Sequence, residues 1–185
     1  MDKQKDILNA ALKLFTEFGF HGTPTSKIAQ EAGVANGTLF HYFKTKDELI
    51  VALYVDIKKQ LGFCVSKDIQ PEDSIKETAR KYYIAALHWG IDNETEFRYI
   101  QQFLSSPYVS MIPEELVEQS LAMINMIKEG IKQKVIKVTP AEYVMSIISS
   151  HLYGVNQYIN SQKLSTAKQK QLINESFELV WKMIT

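Results

Sequence analysis

The stretch Gly37–Leu49, GTLFHYFKTKDEL, holds four consecutive ring side chains: Phe40, His41, Tyr42 and Phe43. In a helix each residue turns about 100° from the last, so four neighbours cannot share one buried face. With Leu39 as origin, Phe43 falls about 40° away, Phe40 about 100°, His41 about 200° and Tyr42 about 300°. Leu39 and Phe43 therefore anchor the helix, while His41 points outward with Phe40 and Tyr42 flanking it. The start of this helix, Asn36-Gly37-Thr38, is small and polar, and Asn36 is expected to cap it. Small residues for close approach and hydrogen-bonding tips on the outer face suit a helix that enters a DNA groove.

The flanking sequence builds a frame for that helix. Residues 3–18 place Ile7, Leu8, Ala11, Phe15 and Phe18 at spacings that predict an amphipathic helix. Gly19 is expected to stop it, with GFHGTPT as a loop. Thr25 precedes SKIAQEAG, a short helix ending at Gly33, where a left-handed residue fits. Its Ile28 and Ala32 should share the buried face of Leu39 and Phe43. After the ring-bearing helix, Thr45 and Glu48 form a capping box for a fourth helix through Leu49, Leu53, Ile57 and Leu61, with Gly62 as a weak point. Two short helices around a glycine corner, behind a longer first one, predict a helix-turn-helix.

Beyond Pro71 the pattern stays helical, over about 72–91, 93–105, 113–135, 141–161 and 166–184. The expected fold class is all-α, with a helix-turn-helix DNA-binding domain over 1–48 and a larger helical domain over 49–185.

Composition narrows the function. The 185 residues are 45% hydrophobic and 23% charged, ordinary for a globular protein. No apolar run approaches the roughly 18 residues a membrane span needs, and the amphipathic, acid-bearing N-terminus is unlike a secretory signal. A cytoplasmic protein with no membrane partner is expected. Cys64 is the only cysteine, and the four histidines, His21, His41, His88 and His151, are scattered. That argues against a disulfide, a cysteine-based zinc site or any other metal site. No nucleophile elbow or phosphate loop occurs, so an all-helical enzyme is weighed and set aside, and no cofactor is expected. Residues 1–50 hold six lysines and six acids, and no arginine precedes Arg80. Phosphate binding would then rest on Lys27, Lys44 and Lys46, hydroxyls and helix starts rather than on a broad basic field.

The stretch TPTSKIAQEAGVANGTLFHYFKTKDELI resembles the DNA-binding head of the tetracycline-repressor (TetR) family of bacterial transcription regulators. The likeness covers about residues 5–52; the rest of the chain matches only in length and helical order. The resemblance implies a homodimer placing two recognition helices on a palindromic operator in double-stranded DNA. Thr25 and Ser26 would then meet phosphate, with Lys27 beside them. Ala35, Asn36, Gly37 and Thr38 would make base and phosphate contacts, and His41 would face the groove. Tyr42 would donate to phosphate, and Lys46 would reach another. Phe40 stands where tyrosine is common in the family, so only stacking or packing remains to it.

The resemblance also implies a C-terminal ligand-binding and dimerisation domain. Residues 71–135 carry Tyr82, Tyr83, Trp89, Phe97, Phe103, Met123 and Met126, an apolar and aromatic set that suits either an adaptable pocket or a core. With His151 they form the expected binding set for a small, largely apolar or aromatic effector. This stretch has seven basic and ten acidic residues, which disfavours an anionic ligand. Val144, Ile148, Val155 and Tyr158 on one helix and Leu172, Leu179, Val180 and Met183 on the last form stripes that suit a four-helix contact between two copies. Gly154 would allow close approach there. The expected function is a ligand-responsive regulator, most simply a repressor released by its effector. The alternative is a regulator whose helical body answers to a protein partner.

Overall fold

Asp2 opens the chain's first helix by accepting hydrogen bonds from the amides of Gln4 and Lys5. A computed structural model describes residues 2–185, with the side chains of 115–122 outside the description. The described residues form helices α1 (Lys3–Gly22), α2 (Thr25–Glu31), α3 (Asn36–Tyr42), α4 (Lys46–Ser66), α5 (Ile75–Asp92), α6 (Glu94–Leu104), α7 (Glu114–Lys132), α8 (Ala141–Ser161) and α9 (Thr166–Ile184). A 3₁₀ turn, Pro107–Met111, follows α6 where the sequence pattern shows only a break. No strand occurs among the described residues, so the all-α reading holds. The chain falls into two compact units, Met1–Gln60 with Asn93–Pro113, and Leu61–Asp92 with Glu114–Thr185.

In the first unit α1 buries Ile7, Ala10, Ala11, Leu14 and Phe15. Gly19 interrupts the helical dihedrals at φ 75°, but α1 resumes to Gly22 instead of ending in a loop. Thr23 holds this bend: fully buried, its hydroxyl lies 2.8 Å from the Gly19 carbonyl and 3.1 Å from that of Leu14. The bend turns Phe20 inward, edge-on to Phe15 at 5.3 Å and to Tyr99 at 5.7 Å. Phe18 is thereby left exposed, contrary to its place in the predicted stripe, and the Lys27 ammonium sits 3.7 Å above its ring.

Helix α6 packs on α1 within this unit. The Tyr99 hydroxyl, fully buried, donates to the Ile50 carbonyl at 2.8 Å, and Gln102 Nε2 donates to the Phe15 carbonyl at 3.1 Å. Phe103 stacks on Tyr54 with ring centroids 3.9 Å apart.

In the second unit α5 lies against α8 and α9, and α7 against α8 and α5. Tyr83, Leu87, Ile127, Val144, Ile173 and Phe177 fill its centre. Arg80 bridges from α5 to Glu178 at 2.8 Å and Asn174 at 2.7 Å on α9. A Cβ added at Gly130 would stand 2.8 Å from Ile136 Cδ1, the free end of that side chain, so Ile136 would have to shift to admit it. Gly154, expected to permit close approach, faces open space: a Cβ added there would meet no atom within 4 Å.

Candidate nucleic-acid interface

Local chemistry sets the turn between α2 and α3. Gly33 adopts φ 66°, the left-handed conformation expected of it, and the Val34 amide bonds the Ala29 carbonyl at 2.9 Å. Ala35 is extended, and its carbonyl accepts from Thr38 and Leu39 at 2.9 and 3.3 Å. The helix thus starts one residue earlier than predicted. Asn36 is its first helical residue rather than its cap, and no side chain caps α3. Similarly, Thr25 is the first residue of α2, behind Pro24. At α4 one bond of the expected box forms, Thr45 Oγ1 accepting from the Glu48 amide at 3.0 Å, while the Glu48 carboxylate accepts from the Lys44 amide at 2.8 Å, one residue before the cap.

Leu39 and Phe43 are buried, together with Ile28 and Ala29 of α2. Ala32 is only half-buried, because Ala29 takes the inner position. The other three rings are exposed, Phe40 at 38% and Tyr42 at 39%, with His41 between them. His41 and Tyr42 meet edge to face at 5.6 Å. Around them Ser26, Lys27, Ala35, Asn36 and Gly37 are exposed and Thr25, Thr38 and Lys46 half-buried. Burial presses the Lys46 ammonium below its usual range, opposed by neighbouring Asp47. The eleven positions named from the sequence thus lie on α2, α3, the turn between them and the first residue of α4, all in one unit.

The residues expected to hold an effector are divided. Phe97 and Phe103 belong to the first unit, where both are buried and Phe103 packs on Tyr54. Tyr82, Tyr83, Trp89, Met123, Met126 and His151 belong to the second, with Tyr83 and Trp89 buried and the others half-buried. There the structure joins Tyr83 to His151, whose hydroxyl and Nδ1 are 2.9 Å apart. Desolvation pushes the Tyr83 hydroxyl far up and the His151 imidazole down from its ordinary value, so the ring favours its neutral form.

The two stripes expected at a dimer contact also divide. Val144 and Val180 are buried in the unit's own core and have no surface to offer. Ile148, Val155 and Leu172 are half-buried. Tyr158, Leu179 and Met183 are 54%, 57% and 53% exposed. Tyr143, also exposed, was not singled out from the sequence. Its signal was its distance from Tyr158, fifteen residues, or about four helical turns on the same helix. No cluster of three metal-ligating side chains occurs among the described residues, and no helix there is long and apolar enough to cross a membrane.

Residues 7–53 match the family model for bacterial regulatory proteins of the tetR family. Over 75 residues the chain is 36% identical to the fatty acid metabolism regulator protein of Bacillus subtilis, an alignment covering 40% of this chain and 39% of that protein. The match thus spans about two-fifths of that relative's length. A solved structure assigned to the tetR family, from Shewanella sp. PV-4, superposes with a TM-score of 0.85 at 27% identity, covering 100% of this chain and 98% of the other. The transcriptional regulator FadR of Bacillus subtilis, solved in complex with stearoyl-CoA, shares the fold with a TM-score of 0.78 at 24% identity, covering 98% of this chain and 99% of that one.

Proposed function

We propose that the chain, whose residues 7–53 match the tetR family of bacterial regulatory proteins, is a member of that family and a ligand-responsive transcriptional repressor acting as a homodimer. The observation that carries this reading is the split of the ring cluster on α3. Leu39 and Phe43 are spent on the core, while Phe40, His41 and Tyr42 stand in solvent beside Thr25, Ser26, Lys27 and Lys46. A folded unit gains nothing by exposing three adjacent rings, whereas a DNA groove supplies partners for each. Residues 1–48 are assigned to DNA binding and 49–185 to effector binding and dimerisation, in a cytoplasmic protein. Tyr158, Leu179 and Met183, with the half-buried Ile148, Val155 and Leu172, would carry the contact between copies.

The mechanism is a shift in population. One helix, α4, runs from the first residues after α3 to Ser66. An effector bound by the helical body would favour a conformation in which the two recognition helices no longer match the half-site spacing. It can shift that equilibrium only by its differential affinity for the two states. An apolar effector fits the aromatic and methionine content of the body, and the same fold holds an acyl chain in FadR.

The test is binding of the purified chain to the intergenic DNA upstream of its own gene, across a salt series, with His41→Ala alongside. Tight, salt-sensitive binding that His41→Ala weakens without unfolding the protein is expected. A folded dimer with no preference for that DNA over an unrelated duplex would count against the reading.

A further inference from the structure

Phe18 is 44% exposed, although it falls in the apolar stripe predicted for α1. The bend at Gly19 turns Phe20 into the core and leaves the Phe18 ring at the surface, where it adds little to the packing of the unit. Among the described residues the ring meets no other ring, and the Lys27 ammonium stands over its face, 3.7 Å from the centroid. At that distance the ammonium is attracted by the negative face of the ring. Phe18 lies on α1 and Lys27 on α2, both inside the first unit.

A carboxylate stands at the right spacing for Lys27: Glu31 is four residues on, along the same face of α2. Glu31 is bound instead by Lys13 of α1. The Lys27 ammonium therefore has no carboxylate partner among the described residues. The two kinds of partner differ in what they leave behind. A carboxylate holds an ammonium by cancelling its charge, and a phosphate would have to displace it. A ring face holds the ammonium from one side and leaves its charge and its remaining N–H donors for an anion on the other. A restrained lysine also has less rotamer freedom to lose when it binds. Thr25 and Ser26, proposed to meet phosphate, directly precede it in the chain.

We propose that Phe18 is a positioning residue for DNA binding: its ring holds the Lys27 ammonium, still fully charged, ready for a backbone phosphate beside those met by Thr25 and Ser26. This rests on the reading that the head binds DNA. None of the eleven contact positions lies on α1, so Phe18 adds that helix to the DNA-binding apparatus. It acts through Lys27 and reads no base, since a phosphate contact sets position and affinity rather than sequence preference.

The test is a double-mutant cycle on DNA affinity, read by fluorescence anisotropy with the upstream intergenic DNA. The proteins are the native full chain, Phe18→Leu, Lys27→Gln, the double variant and Phe18→Trp. Lys27→Gln should weaken binding and lower the slope of log affinity against log salt by about 0.9 for each bound head. Phe18→Leu should weaken binding about two- to tenfold per bound head, the cost of immobilising a free lysine. In the Lys27→Gln background Phe18→Leu should have no further effect. Phe18→Trp keeps a ring face for the ammonium and should bind as the native chain does. Melting temperatures of the same samples separate positioning from folding. A contact that only fastens α1 to α2 would couple the two residues in stability and leave their effects on affinity additive. Additive effects on affinity overturn the proposal, as does Phe18→Leu binding as tightly as native. So do Phe18→Trp binding as weakly as Phe18→Leu, a native salt slope for Lys27→Gln, or a Phe18→Leu chain that does not fold. If the native chain binds this DNA while the cycle is additive, the regulator stands and the role of the ring falls. If the native chain shows no preference for this DNA over an unrelated duplex, the regulator reading falls and this inference with it.

Discussion

Replacing Tyr42 by Phe removes one oxygen from the outer face of α3 and nothing from the core. Tyr42 is 39% exposed, and its ring contact with His41 survives in Phe. Stability should therefore stay within about 0.5 kcal/mol of the native protein, as for surface changes generally. On DNA the hydroxyl is proposed to donate to a phosphate oxygen. Hydrogen bonds to charged groups contribute about 1.5–3 kcal/mol, so affinity should fall about ten- to a hundredfold per bound head. Because the lost group is uncharged, no fewer counterions are released, and the slope of log affinity against log salt should not change. Lys46→Gln makes the contrast, since losing one phosphate contact per head lowers that slope by about 0.9 for each head. Fluorescence anisotropy with the upstream DNA, from about 50 to 200 mM salt, reads both quantities. Any of three results would rule out a phosphate contact by this hydroxyl: Tyr42→Phe binding within twofold of native, a changed salt slope for it, or a lowered melting temperature.

Other expectations follow from local geometry. Gly33→Ala places a side chain at φ 66°, which costs about 1–2 kcal/mol, and should lower the melting temperature by a few degrees although space is open there. Tyr99→Phe removes the bond to the Ile50 carbonyl but keeps the ring packing; thermal denaturation should show a loss of about 0.5–1.5 kcal/mol. Leu179→Glu with Met183→Glu, both exposed in one copy, should give folded monomers by light scattering, and an unchanged dimer would exclude this face as the contact. For His151 the folded value lies below the ordinary 6.5, so between the two values the unfolded chain binds the extra proton. Its stability contribution is complete above about pH 6.5 and is lost as pH falls below it. The melting temperature should drop from pH 7.5 to 5.5, and His151→Gln should flatten that drop. The lowered carboxyls of Asp73 and Glu77 titrate below this window.

Features that depend on neighbours in the chain can be read from the residues alone. The outward turn of Phe40, His41 and Tyr42 follows from helical geometry alone, once Leu39 and Phe43 are assigned inward. Gly33 at positive φ and the Thr45 cap on the Glu48 amide are also local, because each is settled by residues within one turn.

Features that depend on which surfaces meet emerge from long-range packing. Thr23 closes on Gly19 and Leu14 and carries α1 past its expected end, which turns Phe20 in and leaves Phe18 out. Residues of α6 that read as pocket wall, Phe97 and Phe103, serve the first unit, because Tyr99 and Gln102 bind that helix to backbone carbonyls at Ile50 and Phe15. The stripes of α8 and α9 separated into Val144 and Val180 inside and Tyr158, Leu179 and Met183 outside. Periodicity marks a face as apolar, but an apolar face is equally satisfied by its own core, a ligand or a second copy. The choice is made by long-range packing, which no window of a few turns contains.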